Sequence, residues 1–175
     1  SQKEDGSIEL KVFDNTTLTF KPNADLNLTD WYKQQAEADE QAKQIEIEKS
    51  KQKGYVEKGN TETNFKYHVA LIDENENYDE EVTTSEQDFV IGVRPEFVEI
   101  NPESKLAAEI YSSMPTGMET TIRANVGNYI LTGVMFGGVI YHLGDKVNID
   151  FKGNNIILFA KSNGRFITLG SVEVK

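Results

Sequence analysis

From Phe89 to the C-terminus the chain is a string of short apolar stretches separated by turn residues, and that rhythm constrains its fold more than any other feature. Phe89–Val93, Phe97–Ile100, Leu106–Tyr111, Met118–Val126, Tyr129–Met135, Lys146–Phe151 and Asn155–Ala160 each have the length and content of a strand. Between them, Gly127-Asn128 suits a two-residue hairpin turn, and Asn163-Gly164 is the strongest short hairpin signal in the chain. Gly144-Asp145 and Lys152-Gly153-Asn154 fill the other gaps. No helical period interrupts this region. Strands spaced so evenly, closed by Gly-rich turns, predict a small antiparallel barrel.

The preceding residues differ. Ile8, Leu10 and Val12 alternate with polar neighbours, and Leu18 and Phe20 do so again after Asp14-Asn15, which predicts a hairpin over 7–20. Over 30–53 the period changes: Trp31, Gln35, Ala38, Ala42 and Ile45 step by helical intervals onto one face. Thr29 or Asp30 is expected to cap that helix, and Asp39 with Lys43 and Glu46 with Lys49 are surface pairs. The stripe is thin, so the helix is expected to pack loosely, through Trp31 and Ile45. Phe65, Tyr67, Val69 and Leu71 alternate, predicting a strand at 65–72, and 73–81 reads as a charged loop.

Composition bounds the function. The 175 residues are 38% hydrophobic, enough for a core, and contain no Cys, which excludes a disulfide scaffold and thiolate metal sites. No run approaches the roughly 18 apolar residues of a membrane span, and Ser1-Gln2-Lys3-Glu4-Asp5 has no apolar signal core. The expected location is the cytoplasm. A net charge of −11 argues against binding a phosphate backbone. Residues 30–90 hold 16 acids against 7 lysines, so nearly all the acidity lies in this central segment.

Catalytic signatures are missing on inspection. The chain has no phosphate-cradling G-x-x-x-x-G-K-S/T, no G-x-G-x-x-G, no G-x-S-x-G and no H-E-x-x-H. His68 and His142 are the only histidines, one on the polar side of a strand and one beside a turn. Asp73, Asn75 and Asn77 imitate the start of a calcium loop, but Tyr78 and Thr84 occupy the places of its Gly and terminal Glu. Asn15-Thr16-Thr17 and Asn27-Leu28-Thr29 match a glycosylation acceptor without any secretory context.

The stretch Phe89-Val-Ile-Gly-Val-Arg-Pro-Glu96 resembles the G-V/I-R-P-E motif of the ATP-binding subunits of maltose-type sugar importers of the ABC class. Other landmarks follow in the family's order. Met114-Pro115-Thr116-Gly117-Met118-Glu119-Thr120 resembles one of its turns, Leu143-Gly144-Asp145-Lys146-Val147 another, and Ile157-Leu158-Phe159 with Asn163-Gly164-Arg165 its terminal hairpin. Asp5-Gly6-Ser7 to Phe20 is similar to its first hairpin. The resemblance covers 5–20 and 89–169. Phe97 stands where the family usually has a polar residue, Ala160 replaces an Asp, and 30–85 is longer than the usual connection.

The resemblance implies a mainly β fold: an OB-like antiparallel barrel of the transport-associated (TOBE) type, with one inserted helix. Residues 1–29 are then its first hairpin, 30–88 an acidic insertion, and 89–175 the barrel. Without an initiator Met, the chain is expected to be the C-terminal regulatory portion of a longer subunit. No catalysis is expected of it, because ATP and Mg belong to the nucleotide-binding domain of the family's subunits. Expected partners are a second subunit in a homodimer, the membrane permease subunits, and a regulatory protein or small ligand; nucleic acid is not among them. The expected place is the inner face of the cell membrane. Gly92, Arg94, Pro95 and Glu96 are candidate interface residues, and Gly117, Gly144, Asp145 and Gly164 mark the family turns. Physically, Pro95 ends its strand and holds Arg94 extended, Gly92 permits close approach, and Arg94 offers a planar fork of donors. That fork serves either an interface or a clamp between the chain's own strands. Two other classes remain: a free-standing OB-like module for a small ligand or anion, and a surface lipoprotein domain.

Overall fold

A computed structural model of the chain describes residues 2–12, 16–50, 85 and 87–175. The Asp14-Asn15 turn, the end of the helix at 51–53, the 65–72 strand with His68, and the 73–81 loop lie outside the described residues. The others form ten strands, one α-helix and a single 3-10 turn.

Two sheets divide the strands. In the first, β1 (Ile8–Val12) and β2 (Thr16–Pro22) form the expected hairpin. β2 continues onto β10 (Phe166–Val174), which pairs with β9 (Ile156–Ala160), which pairs with β3 (Phe89–Gly92). The sheet is antiparallel throughout and joins both ends of the chain. Its core face carries Ile8, Leu10, Leu18, Phe20, Ile156 and Leu158, all buried.

The second sheet runs β4 (Val98–Ile100), β8 (Lys146–Phe151), β5 (Leu106–Pro115), β6 (Glu119–Val126), β7 (Tyr129–Phe136). β5 is ten residues long, with a register shift between Ile110 and Ser112. Its first part pairs with β8 and its second with β6, so one kinked strand turns the corner of a small barrel. β4 and β7, the two ends of the hydrogen-bonded order, then approach each other. They close by packing: a Cβ on Gly133 of β7 would stand 3.0 Å from Val98 Cγ1, and glycine removes that obstacle. The fold is therefore mainly β, an OB-like, nearly closed antiparallel barrel with one helix. Val93, Phe151 and Val174 pack against both cores and join the two sheets.

The curled sheet is narrower than 89–175. It spans β4 to β8, and β3, β9 and β10 side with the N-terminal hairpin. β10 is a strand that the sequence rhythm did not single out. Its alternation is broken by a register shift between Phe166 and Thr168 and by Gly170 in mid-strand. A Cβ there would collide with Lys21 O and come within 2.6 Å of Phe20 Cζ, so Gly170 is what lets β10 lie against β2 over the Phe20 ring.

The helix α1 (Leu28–Ser50) begins two residues before the expected start. Its cap is Asn27, whose Oδ1 accepts the Asp30 N–H at 3.2 Å and whose carbonyl accepts the Trp31 N–H. Thr29 and Asp30 lie inside the first turn instead. The packing also departs from expectation. Leu28, Trp31 and Tyr32 lie against the first core, but Ile45 is 51% exposed, and so is the whole stretch 40–49. Asp39 pairs with Arg165, on the turn before β10. Among the described residues, the packing onto the first core and the Arg165 contact involve the first three turns of α1.

Candidate functional site

The motif residues lie on the crossover between the sheets. Gly92 ends β3 where it pairs with Ile157, and a Cβ there would press on Phe159 Cε2 at 3.1 Å. Arg94 is extended (φ −75°, ψ 145°), and Pro95 opens the 3-10 turn Pro95–Phe97 that leads into β4. The local conformation is the one the Arg-Pro pair dictates. The Arg94 side chain is 69% exposed, and its ion-pair partner among the described residues is Glu96, at a loose 3.9 Å. The fork thus faces solvent and, among the described residues, ties no two strands together. Phe97 is half-buried against the β8–β9 connection, 3.9 Å from where a Gly153 Cβ would be.

The family turns occupy three of the loops. Gly117 (φ 100°) reverses the chain between β5 and β6, and Gly144 (φ 87°) precedes β8. Both use a left-handed conformation that only glycine adopts freely. Gly164 (φ 67°) sits between β9 and β10 and donates to the Ala160 carbonyl. Asp145 accepts the His142 N–H at 2.7 Å and fixes the turn that holds Gly144. His142 is largely exposed, 3.7 Å from the same carboxylate, as a rim residue would be.

These residues separate into three places. Gly92 to Glu96 lie on the crossover. Gly164 lies beside Arg165, which donates to Gln35 Oε1 at 2.9 Å and to Asp39, latching α1 to the β9–β10 turn. Gly117, Gly144 and Asp145 lie at the end of the barrel spanned by the 137–145 loop. There the Gly137 N–H donates to the Met118 carbonyl, Thr120 Oγ1 donates to the Val139 carbonyl, and the Gly144 N–H donates to the Ile110 carbonyl. Tyr141 packs inward, and burial pushes its phenol above the usual range.

That barrel end holds what the sequence reading missed. Met118 is 88% exposed, Leu143 77%, Ile140 65% and Phe136 64%. Loops are ordinarily polar, so the run Met135-Phe-Gly-Gly-Val-Ile-Tyr141, apolar straight through a glycine turn, was the available signal.

Among the described residues no three His, Asp or Glu side chains converge as metal ligands, and no helix is long and apolar enough to cross a membrane. In comparisons with known proteins, no family model and no curated sequence matches the chain.

Proposed function

We propose that the chain is the C-terminal regulatory and dimerisation domain, of TOBE type, of the ATP-binding subunit of an ABC importer for sugars. One observation carries the reading: the G-V/I-R-P-E residues form the crossover between the sheets, with Arg94 open to solvent and Glu96 half-buried beside it. A guanidinium that served as an internal clamp would be buried among acceptors; one kept open is suited to a partner's carboxylate or row of carbonyls. The positive φ of Gly117, Gly144 and Gly164, each at a landmark of the resemblance, adds support.

In this reading ATP and Mg are bound and hydrolysed elsewhere in the subunit, and this chain contributes no residue to that chemistry. Its work is contact: with a second subunit, with the permease subunits at the inner face of the membrane, and with a regulatory protein or small ligand. The test compares the isolated chain with an intact subunit that carries it. The isolated chain is expected to give no Mg-dependent ATP turnover above buffer. Arg94→Ala in the intact subunit is expected to leave basal hydrolysis within about twofold while weakening partner binding. Turnover by the isolated chain that survives repurification contradicts the reading.

A further inference from the structure

The first sheet ends in two edges of different character. β1 is guarded: the chain folds back over it through the Gln2–Ile8 bridge, the Lys3 N–H donates to the Ser7 carbonyl, and Glu9 and Lys11 stand on the strand itself. β3, Phe89-Val-Ile-Gly92, carries neither a charge nor a proline, and its pairing with β9 runs without a bulge. Among the described residues β9 is its only strand partner. Such an edge is a template for a further strand.

Register shows which groups the edge offers. The Lys161 N–H donates to the Asp88 carbonyl at 3.0 Å, one step beyond the Phe89–Ala160 pair. Hydrogen-bonded and non-hydrogen-bonded pairs alternate along an antiparallel ladder. Val90 and Gly92 therefore turn their backbone groups toward β9, and Phe89 and Ile91 turn theirs outward. The Phe89 and Ile91 side chains pack on the first core. On the opposite face Val90, Phe159 and Phe166 follow one another across three strands, with the two rings edge to face at 6.5 Å and Phe166 52% exposed. An added strand finds ladder groups on the edge and an apolar row beside it.

Charge sets one end of that strand. Arg94 stands just past β3 with its side chain 69% exposed, and Glu96 approaches only Nη1, at 3.9 Å. Among the described residues Nε and Nη2 have no partner. A carboxylate from outside suits the open side of this fork. We infer that the outer edge of β3 receives an extended segment of a partner protein. The segment runs antiparallel, like the rest of the sheet, with alternate apolar residues and one acidic residue at its N-terminal end, beside Arg94. The inference rests on the proposed function only in giving Arg94 an outside partner, and deepens it by naming what that partner presents.

An NMR titration of the full ¹⁵N-labelled chain with the peptide acetyl-ETVTVTV-amide tests it, at about 150 mM NaCl to screen the net charge of −11. Saturable shifts centred on the Phe89 and Ile91 amides are expected, with a dissociation constant below about 1 mM. Acetyl-KTVTVTV-amide is expected to bind about fivefold more weakly. Acetyl-ETPTPTV-amide, which lacks two ladder donors, is expected to give no saturable shift. Arg94→Glu should exchange the preference in favour of the lysine peptide, with a thermal midpoint near wild type because the side chain already lies in solvent. Arg123→Glu, an exposed cation of β6, is the control and should bind both peptides like wild type. Absence of shifts at those two amides overturns the inference, and so does equal binding of the proline peptide or an unchanged preference in Arg94→Glu. Broadening of the same amides with protein concentration, before any peptide is added, assigns the edge to a second copy and also overturns it. Should Arg94→Glu misfold, the lysine and proline peptides decide on the wild type alone. A blank titration leaves the regulatory-domain reading standing; that reading fails separately, by the ATP assay above.

Discussion

The two sheets solve the same problem in opposite ways. Each has an apolar face to cover. The barrel sheet covers its own by curling until β7 reaches β4, with Gly133 and Val98 as the seam. The first sheet stays open and is covered from outside, by Leu28, Trp31 and Tyr32 at the start of α1. Its strands also come from both ends of the chain, so its pairing must wait for contacts across most of the sequence. The lesson is that α1 is not a simple appendage: its first three turns complete a core, while 40–49 lie exposed. Removing the helix should damage the first sheet and spare the barrel.

Four changes test that contrast. The largest effect is expected from Gly170→Ala. The added methyl meets Lys21 O and the Phe20 ring, so the β10–β2 pairing must give way, and overpacking against backbone should cost about 3 kcal/mol in denaturant unfolding. Trp31→Ala comes next, at about 2 kcal/mol, below the range for a fully buried aromatic because Trp31 is only half-buried. Hydrogen exchange should then quicken in β1, β2 and β10 and not in β6. Gly133→Ala strikes the other sheet and should cost about 1 kcal/mol, since the tightest contact is the flexible Met135 Cε at 2.9 Å. Exchange should quicken in β4 and β7 instead. Ile45→Ala should change stability by less than about 0.5 kcal/mol, as a surface substitution does.

The smallest effect concerns pH. Asp5 accepts hydrogen bonds from the Ser7 hydroxyl at 2.6 Å and the Ser7 N–H at 3.0 Å, and these hold its carboxyl below the usual range. Glu9, bonded to Lys3, is lowered as well. Groups depressed in the fold contribute stability that is present above the ordinary carboxylate value, about 4, and lost as pH falls through the lower folded value. A weak acid-side decline confined to the β1 end of the first sheet is expected. Ser7→Ala should move the Asp5 midpoint upward in an NMR titration; an unmoved midpoint would remove Ser7 as the cause.

Much of the barrel could be read from the sequence because its strands are half-buried and alternate: β6 buries Thr120, Ile122, Ala124 and Val126 and turns the residues between them outward. The Gly127-Asn128 hairpin followed from turn chemistry alone, with Val126 opposite Tyr129. β10 was illegible because its central residue is a glycine selected by the Phe20 ring across the sheet, a contact 150 residues away in sequence. The start of the helix was misplaced because Asn, Thr and Asp at 27, 29 and 30 are all good caps, and tertiary placement chose among them. Ile45 fits the helical stripe but is half exposed, since periodicity gives a face and not the length of its partner. Of the candidate site, the crossover at Gly92–Glu96 could be located from the motif. The exposed apolar end was legible only as the apolar run 135–141, since how much of it reaches solvent depends on how far the barrel closes.

The proposal to be tested most directly is that this chain is part of an ATP-binding importer subunit. The most direct measurement is the coding sequence immediately upstream of Ser1. The account predicts an open reading frame continuous with this one that carries G-x-x-x-x-G-K-S/T, the loop that cradles ATP phosphates. A stop codon there, or a lipid-attachment cysteine preceded by an apolar signal core, would contradict it.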